Sequence, residues 1–321
     1  MTAKLGPGVE FDRLRAIFSR LREHKADGVQ GDDCALVRVG GATLAASVDL
    51  SLEGVHFRTD WLSFEEIGWR AGASALSDLA AAGAKPIGVL VSLGLPPGNG
   101  KREAGSVDPG AEIMAGVGGA VRSVGGKVLG GDLVRSERYL VDVCVLGTAR
   151  RAIRRRGARR GDGVWVTGTL GGAGRALAQL QAGARPEGAL MRRFARPEPR
   201  IAAGTWLARH GAHAMIDISD GLAADAAHVA AASGVALEIE LERLPCWPGV
   251  EPRDAAASGE EYELLVALPA RLGEQDARAF TQATGLPLTR IGRCVTGQGV
   301  HLSAGGRLVE VPPGFDHFAP R

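Results

Sequence analysis

The segment Phe64–Ala84, FEEIGWRAGASALSDLAAAGA, decides the fold. Its apolar residues recur at helical spacing and predict a helix from about Phe64 to Ala82. The interior is mostly alanine, glycine and serine, which favours close backbone packing against a sheet over stability of the isolated helix. Near its end stands Asp78, a carboxylate in a segment otherwise built for burial. Working outward, five more aspartates sit at the edge of a glycine-rich turn or an apolar run: Asp33 in GDDCAL, Asp49 in SVDLSLEGVHF, Asp132 in GGDLVRS, and Asp217 with Asp220 in MIDISDGL. Gathered by a fold, such carboxylates would repel one another unless cations lay between them, so the pattern points to a magnesium-dependent phosphate site.

Around that helix the patterns alternate. A helix is predicted over Phe11–Arg22, a turn over Gly28–Asp33, strands over 35–39, 43–50, 87–95, 127–129 and 139–146, and a helix over 109–124. The charge run RRAIRRRGARR over 150–160 precedes a new strand, GVWVTGTL, and sets the expected domain boundary: residues 1–149, then 150–321. Such a run is ordinarily a solvated loop, though one of its arginines could reach a nucleotide phosphate. Beyond it the pattern gives helices at 172–181, 199–210, 220–232 and 270–283, strands into Asp217 and at 236–241 and 263–268, and a short sheet to the end.

Composition bounds the function. The chain has 321 residues, 45% hydrophobic and 23% charged, enough for two cores, and its net charge of +2 is too mild to argue for nucleic acid or a membrane as partner. Four widely spaced cysteines, with no CxxC, argue against a zinc site. The N-terminus lacks a signal-peptide core and no stretch of eighteen apolar residues occurs, so a cytoplasmic protein is expected. Gly98–Lys101 resembles part of a phosphate loop, but Leu95 and Arg102 break that pattern. No GxGxxG follows a strand, and no serine elbow or Cys–His pair offers a nucleophile. What remains are short GGD, GDD, SVD and SDG loops, where glycine lets backbone N–H groups approach oxyanions while aspartate holds a metal.

Taken in order, GDDCAL, SVDLSLEGVHF, LSDLAAAGAKP, GGDLVRS, GDGVWVTGTLG, RPEPRI, IDISDGLAADAAHVAAASG, SGEEYELLVALP and GFDHFAP resemble the thiamine-monophosphate kinase family along nearly the whole chain. That family shares a superfamily with aminoimidazole ribonucleotide synthetase, selenophosphate synthetase and a hydrogenase maturation factor. The resemblance implies a two-domain PurM-like fold: an N-terminal α/β domain whose sheet pairs with that of a second subunit, and a C-terminal α+β domain, with ATP between them. It implies direct in-line phosphoryl transfer from ATP to thiamine monophosphate, with several Mg²⁺ ions and a homodimer. Carried across, Asp33, Asp49, Asp78, Asp132, Asp217 and Asp220 match magnesium positions, with Ser47 contributing. Gly131, Asp132, Arg151 and Ser219 match ATP positions. His56, Glu260 and Phe315 match the substrate end.

Single residues also have plainer readings. Asp220 could cap the helix that follows it, and Asp32 reads as a structural neighbour of Asp33. Val48, Ala75 and Leu133 put apolar side chains where the family commonly has threonine, asparagine and threonine; Ser258 and Glu261 depart from GGEDYEL. These changes leave the acceptor open: a sister ATP-dependent synthetase, or a nucleotide-binding scaffold that has lost catalysis, are the alternatives. Against the sister enzymes, no reactive cysteine stands near Gly6 and Gly8, and the tail GFDHFAPR carries none.

Overall fold

The computed structural model describes residues 5–21, 31–97 and 108–318. Arg22, the first half of the Gly28–Asp33 turn and the Gly98–Lys101 segment lie outside them.

Helix α1 (Val9–Leu21) precedes a five-stranded sheet of β1 (Ala35–Val39), β2 (Ala42–Leu52), β3 (Lys85–Leu95), β4 (Lys127–Arg135) and β5 (Leu140–Ala149), in the order β1-β2-β5-β3-β4. All its pairings are antiparallel except β3 with β4. Two helices, α2 (Phe64–Ala81) and α3 (Pro109–Ser123), pack on one face. Val89, Val91, Val141, Val143 and Val145 point at them and share a core with Leu76, Leu79, Ile113 and Val117. The glycines of α2 and α3 set how closely the helices approach. A Cβ on Gly68 would lie 1.8 Å from the Ile113 carbonyl, and one on Gly116 would lie 1.9 Å from that of Glu65. The start of α2 is fixed by a capping box: the Glu66 amide donates to Ser63 Oγ, and the Ser63 amide donates to Glu66 Oε2 at 2.9 Å.

After a segment without regular structure over 150–162, a second sheet is built from β6 (Gly163–Thr167), β7 (Ala214–Asp217), β8 (Ala236–Glu240), β9 (Leu264–Leu268), β10 (Leu288–Val295), β11 (Gly299–Ala304) and β12 (Arg307–Val309). Its order is β12-β11-β8-β10-β6-β9-β7. Around it lie α4 (Gly172–Gln181), α5 (Gly188–Ala195), α6 (Ile201–Arg209), α7 (Leu222–Ser233), α8 (Pro252–Ala257) and α9 (Glu274–Thr284). One face packs against α7 through Ile216, Leu237, Ile239, Leu265 and Ile291. On the other, Trp165, Met215, Leu264 and Val266 join Phe194, Leu207 and Phe280 in the same core as the first sheet's helices. Burial between the two halves is therefore continuous, and α2 lies where they meet.

The sequence pattern missed α5 and α8 and ended β4 too early. Strand β4 runs on to Arg135, so GGD is strand and not turn. Its glycine is demanded by close approach, because a Cβ on Gly131 would sit 1.8 Å from the Val91 carbonyl. Among the described residues the four cysteines are free, and no helix is long and apolar enough to cross a membrane.

Candidate active site

Four elements bring carboxylates together where the two sheets meet. Asp33 precedes β1, Asp49 lies on β2, Asp78 is in the last turn of α2, and Asp217 ends β7. A carboxylate oxygen from each of Asp33, Asp78 and Asp217 can lie within 4.8 Å of the others. Hydroxyls orient the set: Ser47 Oγ donates to Asp78 Oδ2 at 2.6 Å, Ser77 Oγ to Asp217 Oδ2 at 2.8 Å, and Ser74 Oγ to Asp49.

An arginine enters the group at Asp33. Arg155 pairs with Asp33 Oδ1 through Nε at 2.8 Å and Nη2 at 2.7 Å, and its amide donates to Asp32 Oδ1 at 2.9 Å. One guanidinium does not neutralise the cluster. Burial pushes Asp33 up to about 7 against the pull of Arg155, with the Asp217 charge adding to the rise. Asp217 is raised to about 6, by burial above all, and Asp78 is raised well above the usual carboxylate range by burial and by Asp217 and Asp33. Asp49 also rises to about 6, from burial and then from Asp142. Buried acids that resist ionisation and offer oxygen atoms at short range are the donor set of a hard divalent cation.

Asp49, Asp78, Asp217, Asp220 and Ser219 line a cavity of about 870 Å³, and the same cavity reaches His56, Glu260 and Phe315. Asp33 is buried beside it and Ser47 acts through Asp78. Asp220 does not cap α7: the N-cap is Gly221, without a side-chain bond. Instead, the amides of Ser219 and Asp220 both donate to Asp225 Oδ2 at 3.1 Å, leaving the Asp220 carboxylate to the cavity. There burial and the nearby Glu10 raise it to about 6.

At the far end, His56 Nδ1 accepts the Leu52 amide at 3.0 Å, and its ring lies 5.0 Å from that of His317. Burial, then the His317 charge, lowers the His56 pKa, so the ring stays neutral with Nε2 carrying the proton. Phe315 is 48% exposed, its amide donates to the Asp220 carbonyl at 3.0 Å, and its ring meets His317 edge-on. Glu260 sits at φ +59°, a backbone region few side chains adopt.

Three expected residues are not brought to the cluster. Asp132 is exposed on β4. Successive pairings of Leu50 with Asp142, Asp142 with Ser92 and Ser92 with Asp132 put it on the outer face of the first sheet, opposite the face of Asp49. Gly131, its neighbour, is likewise outside the cavity lining. Arg151 points away, Nη2 donating to the Ala212 carbonyl at 3.4 Å, and Arg155 holds the place at the carboxylates.

Sequence reasoning also passed over Arg70, Ser74 and Ser77. With Asp78 they fall at i, i+4, i+7 and i+8 on α2, a polar stripe in an alanine-rich helix, and that spacing was their signal. The departures Ser258 and Glu261 belong together. Ser258 Oγ donates to Glu261 Oε1 at 2.5 Å, and that carboxylate accepts the amides of Gly171 at 2.8 Å and Ala173 at 3.1 Å at the start of α4. Val48 is 63% exposed and lies on the opposite side of β2 from Ser47 and Asp49.

Comparison with known proteins bears on the fold and the family. Residues 31–149 match the family model of the N-terminal domain of AIR synthase related proteins, and 159–305 match that of the C-terminal domain. The chain is 36% identical over 304 residues to the thiamine-monophosphate kinase of Aquifex aeolicus, covering 90% of this chain and 93% of that one. It is 33% identical to the Escherichia coli enzyme of that name, covering 97% and 98%. Among solved structures, AaThiL complexed with AMPPCP and TMP superposes with a TM-score of 0.82 at 33% identity over 97% of both chains. Thiamine-monophosphate kinase from Stenotrophomonas maltophilia gives 0.75 at 34%, over 92% of this chain and 96% of that one. Hydrogenase maturation protein HypE in complex with ATP, at 18% identity and 0.70, shares the fold. The chain has the two-domain PurM-like fold and belongs to the thiamine-monophosphate kinase family.

Proposed function

We infer that the protein transfers the γ-phosphoryl group of ATP to thiamine monophosphate, giving ADP and thiamine diphosphate. The observation that carries this is one cavity with a buried carboxylate cluster at one end and a neutral histidine, a carboxylate and an aromatic ring at the other. The attacking group is a phosphate oxygen already ionised at neutral pH, so no strong general base is needed. The chain must align two polyanions and offset their repulsion.

Asp33, Asp78 and Asp217 would hold magnesium, with Asp49 and Asp220 beside them and Ser47, Ser74 and Ser77 fixing carboxylate orientation. Bound there, magnesium neutralises phosphate oxygens and the developing charge of the transfer. Arg155, in place of Arg151, is the arginine assigned to the nucleotide end, and Ser219 faces the same cavity. At the acceptor end, Glu260 accepts hydrogen bonds from the aminopyrimidine of thiamine, His56 Nε2–H donates, and Phe315 supplies a ring to stack on.

The same reading divides the chain at 149/150 and makes it a cytoplasmic homodimer. The dimer is supported by the outer face of the first sheet, uncovered among the described residues, where Val48, Leu50, Leu90 and Val134 are between 42% and 63% exposed. A second copy docked there puts Asp132 and Asp142 in the interface, and Asp132 enters the site by that route and not through its own chain's cluster.

The test is chromatographic. Purified protein with ATP, Mg²⁺ and thiamine monophosphate should form thiamine diphosphate and ADP in equal amounts, and neither with EDTA. ADP without thiamine diphosphate would reject this acceptor. Asp78→Asn should abolish transfer while keeping the circular dichroism spectrum; an active variant would remove Asp78 from the metal set.

A further inference from the structure

Arg70 is the buried cation of this cavity that the reaction described so far does not use. It lies on α2, two turns before Asp78, and is 5% exposed. Three contacts fix it. Nη1 donates to the Phe194 carbonyl, the guanidinium carbon lies 4.0 Å from the centre of the Phe194 ring, and Nη2 forms an ion pair with Glu260 Oε2. Among the described residues buried Nη2 has no well-aligned hydrogen bond, and its charge is directed at the Glu260 carboxylate and the cavity. Glu260 is itself held under backbone strain: φ is +59° there and +50° at Tyr262, and the Glu260 amide donates to the Ser219 carbonyl at 2.7 Å. The pair thus spans the join between α2, which carries Asp78, and the loop between α8 and β9, which is bonded to Ser219.

We propose that Arg70 is a positioning residue for acceptor recognition: anchored by Phe194, it holds the Glu260 carboxylate in place for the aminopyrimidine, and keeps it in register with the metal-binding turn of α2. A guanidinium pinned on one side by a carbonyl and a ring offers a fixed point that a flexible ammonium does not. The proposal rests on the reaction given above for its ligand, and on the ion pair for its geometry.

The test compares wild type with Arg70→Met, Arg70→Lys, Glu260→Gln and the Arg70→Met/Glu260→Gln double variant. Arg70→Met should raise KM for thiamine monophosphate tenfold or more while KM for ATP stays within twofold, and Arg70→Lys should recover part of the loss. In the Glu260→Gln background the Met substitution should add less than twofold, because the group it positions is already changed. Equal factors in the two backgrounds, or parallel rises in both KM values, would overturn the proposal. Should wild type turn over no thiamine monophosphate, the assigned reaction fails on its own account. The urea midpoints of the same proteins then decide the link: non-additive shifts for Arg70 and Glu260 uphold it and additive shifts overturn it.

Discussion

Ser77 Oγ donates a 2.8 Å hydrogen bond to Oδ2 of Asp217, tying the helix packed on the first sheet to the edge strand of the second. Ser77 is fully buried and precedes Asp78, so one turn of α2 supplies one carboxylate of the cluster and orients another. The bond also lowers the Asp217 pKa against the rise that burial imposes.

Ser77→Ala should therefore weaken metal binding without unfolding the chain. Loss of a partner behind a metal-binding group typically costs 10–100-fold in affinity or activity, and a decrease of about that size is expected in the half-saturating Mg²⁺ concentration's reciprocal. Titration calorimetry and the Mg²⁺ dependence of the rate both measure it. An unchanged Mg²⁺ dependence would reduce the Ser77 bond to a packing contact.

Ionisation of the cluster costs stability when no cation is bound. Asp33 is raised from 3.8 to about 7, and Asp49 and Asp217 from 3.8 to about 6, with burial the first cause in each. A folded value above the unfolded one makes the contribution complete below the unfolded value and progressively lost as pH rises through the folded one. In EDTA the melting temperature should fall across the window from about pH 4 to about pH 7, and added Mg²⁺ should raise it more at the upper end than at the lower. Asp78→Asn should flatten the EDTA profile, since it removes a like charge from Asp33 and Asp217. Scanning fluorimetry at fixed ionic strength gives the answer; a flat wild-type profile would contradict buried, ionising carboxylates.

How much of this was legible from sequence depends on where each residue's environment is encoded. Asp33, Asp78 and Asp217 stand at element boundaries inside apolar or small-residue segments, and a carboxylate there has few places to go except a shared polar site. Helix α2 was plain for the same reason: its alanines and glycines need a close partner, and α3 provides it. Asp132 misled because Gly130–Gly131 reads locally as a turn, whereas Gly131 is there for the approach to Val91, and the alternation along β4 then turns Asp132 outward. The arginine run gave no periodicity to choose among its members. Only the path of residues 150–162 past Asp33 selects Arg155, a tertiary fact. Helix α5, of eight residues, was too short to show its period against the surrounding arginines and glycines.

Arg155 and Arg151 should consequently separate in an assay. Arg155→Met removes the guanidinium that holds Asp33 and lowers its pKa, and truncating one partner of a buried charge pair costs about 3–5 kcal/mol. A drop of about 10²-fold or more in kcat/KM for ATP is expected, by the tenfold per 1.4 kcal/mol rule and with part of the cost falling on stability. Arg151→Met loses one 3.4 Å contact to the Ala212 carbonyl and should stay within about twofold of wild type. Steady-state kinetics with both variants decide it, and the reverse ranking would return the nucleotide role to Arg151.

The outer face of the first sheet makes the last prediction. Helices α2 and α3 cover its inner face, while on the other side Val48, Cys144 and Leu90 form one cross-strand row and Leu50, Asp142, Ser92 and Asp132 the next. Leu90 is 42% exposed, Leu50 46% and Val48 63%, an apolar surface with no cover among the described residues. Asp142 Oδ1 is buried there with no partner among the described residues, a state that costs about 1–3 kcal/mol until something meets it. If a second copy is that cover, Leu90→Lys puts two like charges into a symmetric interface and should shift sedimentation from dimer to monomer at micromolar concentration. Leu308→Lys, at a residue 77% exposed on β12 of the other sheet, should leave it unchanged. Because Asp132 would reach the site through that interface, the Leu90→Lys monomer should also lose phosphoryl transfer while keeping its fold. A fully active monomer would sever both the dimer and Asp132 from the reaction.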